Sequence, residues 1–265
     1  MTLDSLPDDS AWERTAILIG ASGVERLRRA HVLVAGLGGV GSYTAEALAR
    51  AGIGALTLAD HDRVAPSNLN RQLVALRSTI GHRKTEVMAG RVREINPDCR
   101  LTLIDDFLCE DQMARYLAPG FDQIVDAIDS LSSKVALIEA ALRLGVPLVS
   151  SMGAGGRLDP TRVRVGDLME TRVCPLAREV RSRLRRRGIG AGVTVVWSDE
   201  QPRPPRPPEE TGRGRPRAVN GTVSYMPSIY GLMLAGLVVR RLLADGSHTL
   251  ATPSPGEGKG LFSPP

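Results

Sequence analysis

Short aliphatic runs alternate along this chain with longer stretches in which apolar residues recur every three or four positions. "HVLVAG", "ALTLAD", "RLTLID", "QIVDAID" and "PLVSS" are the aliphatic runs of the first half. Each is short and bounded by turn residues, which predicts a strand. Between them, "GVGSYTAEALARAG", "HRKTEVMAGRVREIN", "EDQMARYLA" and "KVALIEAALRLG" carry the helical period. The first should end at Gly52, a natural C-cap. The second should stop at Asn96, because a residue before proline is disfavoured in the α region. Residues 11–29 predict short helices. Strand and helix alternating over about 120 residues imply an α/β fold, Rossmann-like and doubly wound, on a mainly parallel sheet. Right-handed crossovers then bring the strand C-termini, and any ligand, to one edge.

Beyond residue 151 the pattern changes. "AGGRLDPTRVRVGDL" predicts short strands around a turn, "CPLAREVRSRLRRRG" a basic helix and "GVTVVWS" a strand. An antiparallel C-terminal extension follows from these. Residues 201–217, "QPRPPRPPEETGRGRPR", offer no side chain for a core and predict a disordered loop. "GTVSYMPSIYGLMLAGLVVRRLLA" predicts a strand and an apolar helix. Three parts result: a nucleotide-binding core over 1–150, a substrate-binding extension over 151–245, and a flexible tail over 246–265.

Composition narrows the class. Aromatic residues make up only 3%, so the core must be aliphatic. Three cysteines with no CxxC pair argue for a reducing compartment and against a cysteine-built zinc site. The acidic start, "MTLDSLPDDSAWER", has no apolar signal segment. The longest apolar run, near "IYGLMLAGLVV", is about 11 residues against the roughly 20 that span a bilayer. A cytoplasmic protein without a membrane partner is expected. Charge is uneven: residues 1–150 hold 16 Lys/Arg and 19 Asp/Glu, a net of −3, and residues 151–265 hold 18 and 10, a net of +8. That asymmetry suggests a polyanion handled by the second half. A GC-rich genome, which favours Arg over Lys, would give the same excess.

The chemistry concentrates in "VAGLGGVGS". Gly36, Gly38, Gly39 and Gly41 sit where a strand turns into a helix, the build of a phosphate-cradling turn. Asp60 lies 19 residues past Gly41 at the end of the next strand, where a carboxylate grips a ribose. These features alone leave a dinucleotide dehydrogenase and an ATP enzyme both open. The next segment favours ATP. "DHDRVAPSNLNRQ" brings Asn68 and Arg71 just beyond Asp60, and Lys84 opens the following helix. Attack on an α-phosphate builds negative charge that fixed cations offset. Asp126 and Asp129 in "DAIDS" offer a carboxylate for Mg²⁺.

"GLGGVGS", "ALARAGIGALTLADHDRVAPSNLNRQ", "GHRKTEVM", "INPDCR" and "DAIDS", in that order, resemble the ThiF/MoeB/HesA family, relatives of ubiquitin-activating enzymes. The resemblance implies adenylation of a carboxylate by MgATP. It assigns ATP contacts to Gly36, Gly38, Gly39, Gly41, Asp60, Asp62, Ser67, Asn68, Leu69, Asn70, Arg71, Lys84, Asp129 and Ser130. Gly39 would approach the phosphates, Asp60 would bind the ribose and Asp129 would hold the metal. Arg14, Arg71, Lys84 and Asp129 would be catalytic, with Arg14 reaching across a homodimer into the neighbour's site.

The second half, through "SSMGAGGRLDP", "TRVCPLAREVRSRLRRRGI" and "GTVSYMPSIYGLMLAG", looks like the branch that dehydrates threonylcarbamoyladenosine in tRNA. That branch would adenylate the threonyl carboxylate and let the carbamoyl nitrogen close a ring. A tRNA substrate, not DNA, is implied, with Arg178, Arg181, Arg183, Arg185, Arg186 and Arg187 as phosphate contacts on one helix. The runner-up is an adenylyltransferase for a ubiquitin-like sulfur carrier, whose members usually carry two CxxC pairs. A sulfur-relay protein is a further partner the resemblance leaves room for. Cys174 is expected to be a buried small hydrophobe rather than a nucleophile, and Cys99 and Cys109 likewise.

Overall fold

The computed structural model describes residues 10–209 and 217–244. The amino-terminal residues, 210–216 and the tail expected at 246–265 lie outside the described residues. Helix α1 (Glu13–Arg29) bends at Gly20, whose φ of 74° breaks it into the two pieces that the sequence suggests. Then come β1 (His31–Ala35), α2 (Gly41–Arg50), β2 (Ala55–Ala59), α3 (Lys84–Ile95), β3 (Arg100–Ile104), α4 (Met113–Leu117), β4 (Gln123–Asp126), α5 (Leu131–Arg143) and β5 (Leu148–Ser151). The second half contributes β6 (Val163–Asp167), α6 (Pro175–Arg186), β7 (Thr194–Ser198), β8 (Arg206–Glu209), β9 (Arg217–Val219) and α7 (Tyr225–Leu243).

Seven strands form one sheet in the order β3-β2-β1-β4-β5-β7-β6. All neighbours are parallel except β6, which runs antiparallel to β7 at the edge. The boundary expected at residue 150 therefore falls inside β5, and the sheet continues unbroken into the second half. Alternation along the strands sorts their side chains to two faces. Val32, Val34, Leu56, Leu58, Val125, Val149 and Val196 meet α2, α3 and α7 on one face. Leu33, Ala35, Ile124, Leu148, Val195 and Trp197 meet α4, α5 and α6 on the other.

Helix α7 corrects the reading of its apolar segment. It is long and apolar enough, by length and composition, to cross a membrane. In the fold, Met226, Tyr230, Leu234 and Val238, one residue per helical turn, are fully buried against α2 and the sheet. Each such side chain contributes roughly 1.5–3 kcal/mol by leaving water. Gly231 permits the close crossing, since a Cβ there would stand 2.4 Å from the Val40 carbonyl oxygen. Thr44 Oγ1 donates to the Gly231 carbonyl at 3.0 Å across the same contact.

Three local expectations differ. Residues 154–162 form turns and a short 3₁₀ segment rather than strands. Asp159 caps that segment by accepting from the Thr161 N–H, and Pro160 opens it. The strand expected in "GTVSY" is absent, and residues 220–223 instead run irregularly along the rim of the cleft described below. Finally, the loop expected to be disordered is partly structured: β8 and β9 pair antiparallel, Arg206 opposite Val219 and Glu209 opposite Arg217.

A candidate nucleotide and acyl-transfer site

The C-terminal ends of β1, β2, β4 and β5 open into one cleft of about 620 Å³. Glycine chemistry shapes its floor. Gly36 has a φ of 90°, a conformation L side chains rarely adopt, and a Cβ there would lie 2.7 Å from the Ala127 carbonyl oxygen. The chain can thus turn out of β1 directly over the end of β4.

Asp60, at the end of β2, holds that turn. Its Oδ2 accepts from the Leu37 N–H at 2.6 Å, and its Oδ1 accepts from the Asp62 N–H at 2.8 Å. Lys84, the first residue of α3, has only 5% of its side chain exposed. Its Nζ stands 2.7 Å from Asp62 Oδ2 and 4.0 Å from Asp60 Oδ2. Arg71 donates through Nη1 to the Ser67 carbonyl at 2.8 Å and to Asn70 Oδ1 at 2.9 Å. Two cations, Arg71 and Lys84, are therefore fixed in the lining of the cleft.

Of the residues assigned to ATP, the cleft is lined by Gly36, Gly38, Gly39, Asp60, Asp62, Asn68, Arg71, Lys84, Asp129 and Ser130. Four others do not line it. Gly41 supports the turn, since a Cβ there would come 1.7 Å from the Gly36 oxygen. Ser67 and Asn70 brace Arg71, and Asn70 also donates to the Thr222 carbonyl at 3.0 Å. Leu69 is exposed beside them, 39% open to solvent. Arg14 lies on α1, exposed and outside the cleft lining.

The basic helix forms as expected, but its six arginines divide. Arg178, Arg183, Arg185 and Arg186 are exposed on α6. Arg181 turns inward, where its Nη1 donates to Thr171 at both the carbonyl, 2.7 Å away, and the hydroxyl. Burial holds its guanidinium pKa below the ordinary value. Arg187 follows the last turn and donates to Glu110 at 2.8 Å and to Glu139, ion pairs that raise its pKa. Arg181 and Arg187, expected as phosphate contacts, are thus also held by ties within the fold.

Several site residues carried no sequence signal. Lys134 is fully buried and donates to Asp126 at 2.7 Å and to the Ser151 carbonyl at 3.0 Å. Ser150 donates to the same carboxylate at 2.6 Å. Asp126 is thus a structural anchor, and its Oδ1 also accepts from the Ile128 N–H. Arg157, 3% exposed, donates through Nη1 to the carbonyls of Gly153 and Gly155, both on the cleft wall. Among the described residues its Nε and Nη2 have no hydrogen-bond partner. The wall is completed by Leu176, Asn220, Thr222 and Pro227 from the second half. A Cβ on Gly39 would lie 3.0 Å from the Pro227 ring. Only the fold shows these residues converging. Cys174 is buried behind Gly153, 2% exposed, as a small hydrophobe would be.

Residues 12–254 match the ThiF family. The chain belongs to that family. Within it, a tRNA threonylcarbamoyladenosine dehydratase of Bacillus subtilis is 39% identical over 241 residues, 88% of this chain and 95% of the relative. The Escherichia coli protein of the same name is 49% identical over 179 residues, 66% of this chain and 67% of the relative. A crystal structure described as the E. coli dehydratase TcdA in complex with ATP superposes with a TM-score of 0.81 at 38% identity, covering 91% of this chain and 97% of that one. The family match runs from Trp12 through α7, so it takes in both the glycine turn and the second-half wall of the cleft.

Proposed function

We propose that this chain is an ATP-dependent dehydratase that cyclises threonylcarbamoyladenosine in tRNA. One observation carries the reading. A nucleotide-type glycine turn flanked by Arg71 and Lys84 opens into the same cleft as a wall made by the second half, and the likeness to dehydratases extends over both.

The ribose of ATP would be held by Asp60, whose carboxylate keeps lone pairs beyond its two backbone partners. The triphosphate would lie along Gly38 and Gly39 between Arg71 and Lys84. The threonyl carboxylate would enter from the end lined by Ser151, Gly153 and Asn220. Its oxygen attacks the α-phosphorus, and the bond to pyrophosphate breaks. Arg71 and Lys84 offset the charge that develops on the phosphoryl oxygens. The carbamoyl nitrogen of the same molecule then attacks the activated acyl carbon. AMP leaves, the nitrogen loses its proton, and a five-membered ring remains, with water's elements lost to ATP cleavage. The nucleophile is already tethered to its target, so no enzyme thioester is required. Cys174 is dispensable on this scheme.

Mg²⁺ suits Asp129, an exposed carboxylate on the cleft wall, with phosphate oxygens filling the rest of the shell. The other acidic group, Asp60, His61 and Asp62, brings its ligand atoms within 4.8 Å of one another, but Lys84 Nζ already stands 2.7 Å from Asp62. Held by Asp129, the metal would neutralise charge on the polyphosphate. A homodimer is part of the proposal. Arg14 lies outside its own cleft, and on the same helix Ile17 and Leu18 are 77% and 86% exposed, an apolar seam suited to a second copy. ATP and a tRNA substrate go with a cytoplasmic location.

The alternative, adenylation of a sulfur-carrier protein, is disfavoured by the basic second half and by a chain with no CxxC pair. Mass spectrometry of nucleosides from tRNA incubated with the protein and MgATP tests the reading. The expected result is loss of the threonylcarbamoyl nucleoside to a product one water lighter, with AMP formed. AMP formation only on adding a ubiquitin-like carrier would replace it with the alternative.

A further inference from the structure

We propose that the β8–β9 ribbon is an RNA-gripping arm at the mouth of the cleft, with Arg203 and Arg206 as phosphate contacts. The proposal rests on the tRNA reading above and assigns a surface that reading leaves open. Both roots of the ribbon hang on Gly156, the neighbour of a residue of the cleft wall. The Gly156 N–H donates to the Gly221 carbonyl at 2.7 Å, and the Arg203 N–H donates to the Gly156 carbonyl at 2.8 Å. Gly155, just before it in the chain, lines the cleft, as do Asn220 and Thr222 just after β9. A nucleoside reacting in the cleft must therefore leave its flanking phosphates at this rim.

The ribbon's composition matches that neighbour. Residues 201–217 carry Arg203, Arg206, Arg213, Arg215 and Arg217 against Glu209 and Glu210. Arg203 and Arg206 are exposed, and among the described residues neither has a carboxylate partner. The ribbon is a two-stranded sheet of its own, separate from the main sheet. A two-stranded ribbon is marginal in water on its own, so a bound partner would steady it. Pro207 and Pro208 remove two N–H donors from β8, which blunts that edge against pairing with a protein strand. Fixed proline geometry also lowers the ordering entropy of a bound arm. Four residues of β8 extend the rim by about 13 Å at ~3.3 Å per residue. The exposed face of α6, which starts beside Leu176 on the same wall, continues the basic surface.

The test uses the full chain with R203A and R206A combined, and binding of an unmodified tRNA transcript across a salt series. Losing two phosphate contacts should lower the slope of log K against log salt by about 1.4–1.8. The KM for modified tRNA should rise while kcat at saturating tRNA and the affinity for ATP stay unchanged. R203K/R206K should restore the slope, because a phosphate accepts a point charge. An unchanged slope in the alanine variant overturns the ribbon's role, as does failure of the lysine variant to restore it. If the unaltered chain binds no tRNA, the dehydratase reading itself falls, and that result is separable from a defect confined to the variant.

Discussion

Lys134 and Asp126 stand 2.7 Å apart, and solvent reaches neither side chain. The pair lies beneath residues 127–130, which carry Asp129 into the cleft, and it ties the end of β4 to α5 and β5. Removing one member leaves an uncompensated charge in the core, so Lys134→Met should lose about 3–5 kcal/mol of stability. Urea unfolding at neutral pH measures it. Lys134→Met/Asp126→Asn should recover part of that loss, because no lone charge then remains. A loss under about 1 kcal/mol in the single variant would show that the pair does not anchor the loop.

Arg14 and Lys84 should complement each other in trans. Arg14→Ala and Lys84→Ala are each expected to abolish most AMP formation. Mixed and allowed to exchange subunits, they should regain part of it, since some dimers contain one intact composite cleft. Absence of recovery despite demonstrated exchange would confine Arg14 to a role in its own subunit.

The arginines of α6 should separate by function. Arg183→Ala with Arg186→Ala should weaken tRNA binding and flatten its salt dependence, by about 0.7–0.9 in slope per lost contact. Arg187→Ala should leave the slope alone and lower the melting temperature, because Arg187 pairs with Glu110 and Glu139. Salt titrations and thermal scans on the two variants distinguish the outcomes.

Cys99 gives the fold an alkaline limit. Burial, partly offset by a backbone hydrogen bond from Leu56, pushes its thiol pKa from 9.0 up to about 11. Between those values the unfolded chain has lost a proton that the folded chain keeps. Stability from this group is therefore full below pH 9 and falls as pH rises toward 11. Cys99→Ala should flatten the decline of melting temperature over that window, whatever its effect at neutral pH. An identical pH profile in the two proteins would remove Cys99 as its source.

Periodicity sufficed for the first half: β1, β2, β4 and β5 are buried and read as aliphatic runs, while β3 at the edge alternates. The glycine turn, Asp60, Lys84 and Asp129 were legible for another reason: each sits at or beside a strand end or helix start, and parallel topology brings such ends to one edge, with Arg71 in the loop between two of them. Lys134 was not legible, since a lone lysine in an apolar helix reads as a solvated residue until α5 is laid over β4. Arg181 and Arg187 looked like their neighbours for the same reason, and only packing assigns them to Thr171 and to the Glu110–Glu139 pair. Pro-rich β8 carries no apolar alternation, and its pairing depends on both roots meeting at Gly156.

The order of strands also fixes when the molecule becomes whole. β6 is made before β7 yet lies outside it, so β5 keeps a bare edge until the later strand inserts between them. The glycine turn is among the first parts to leave a ribosome, but Pro227, which packs against Gly39, and the helix it begins are among the last. A nascent chain can thus own every residue proposed to bind phosphate and still lack the wall that closes over them. Nucleotide capture is deferred to the end of synthesis, and a chain cut short before α7 keeps its signature motifs without a working cleft.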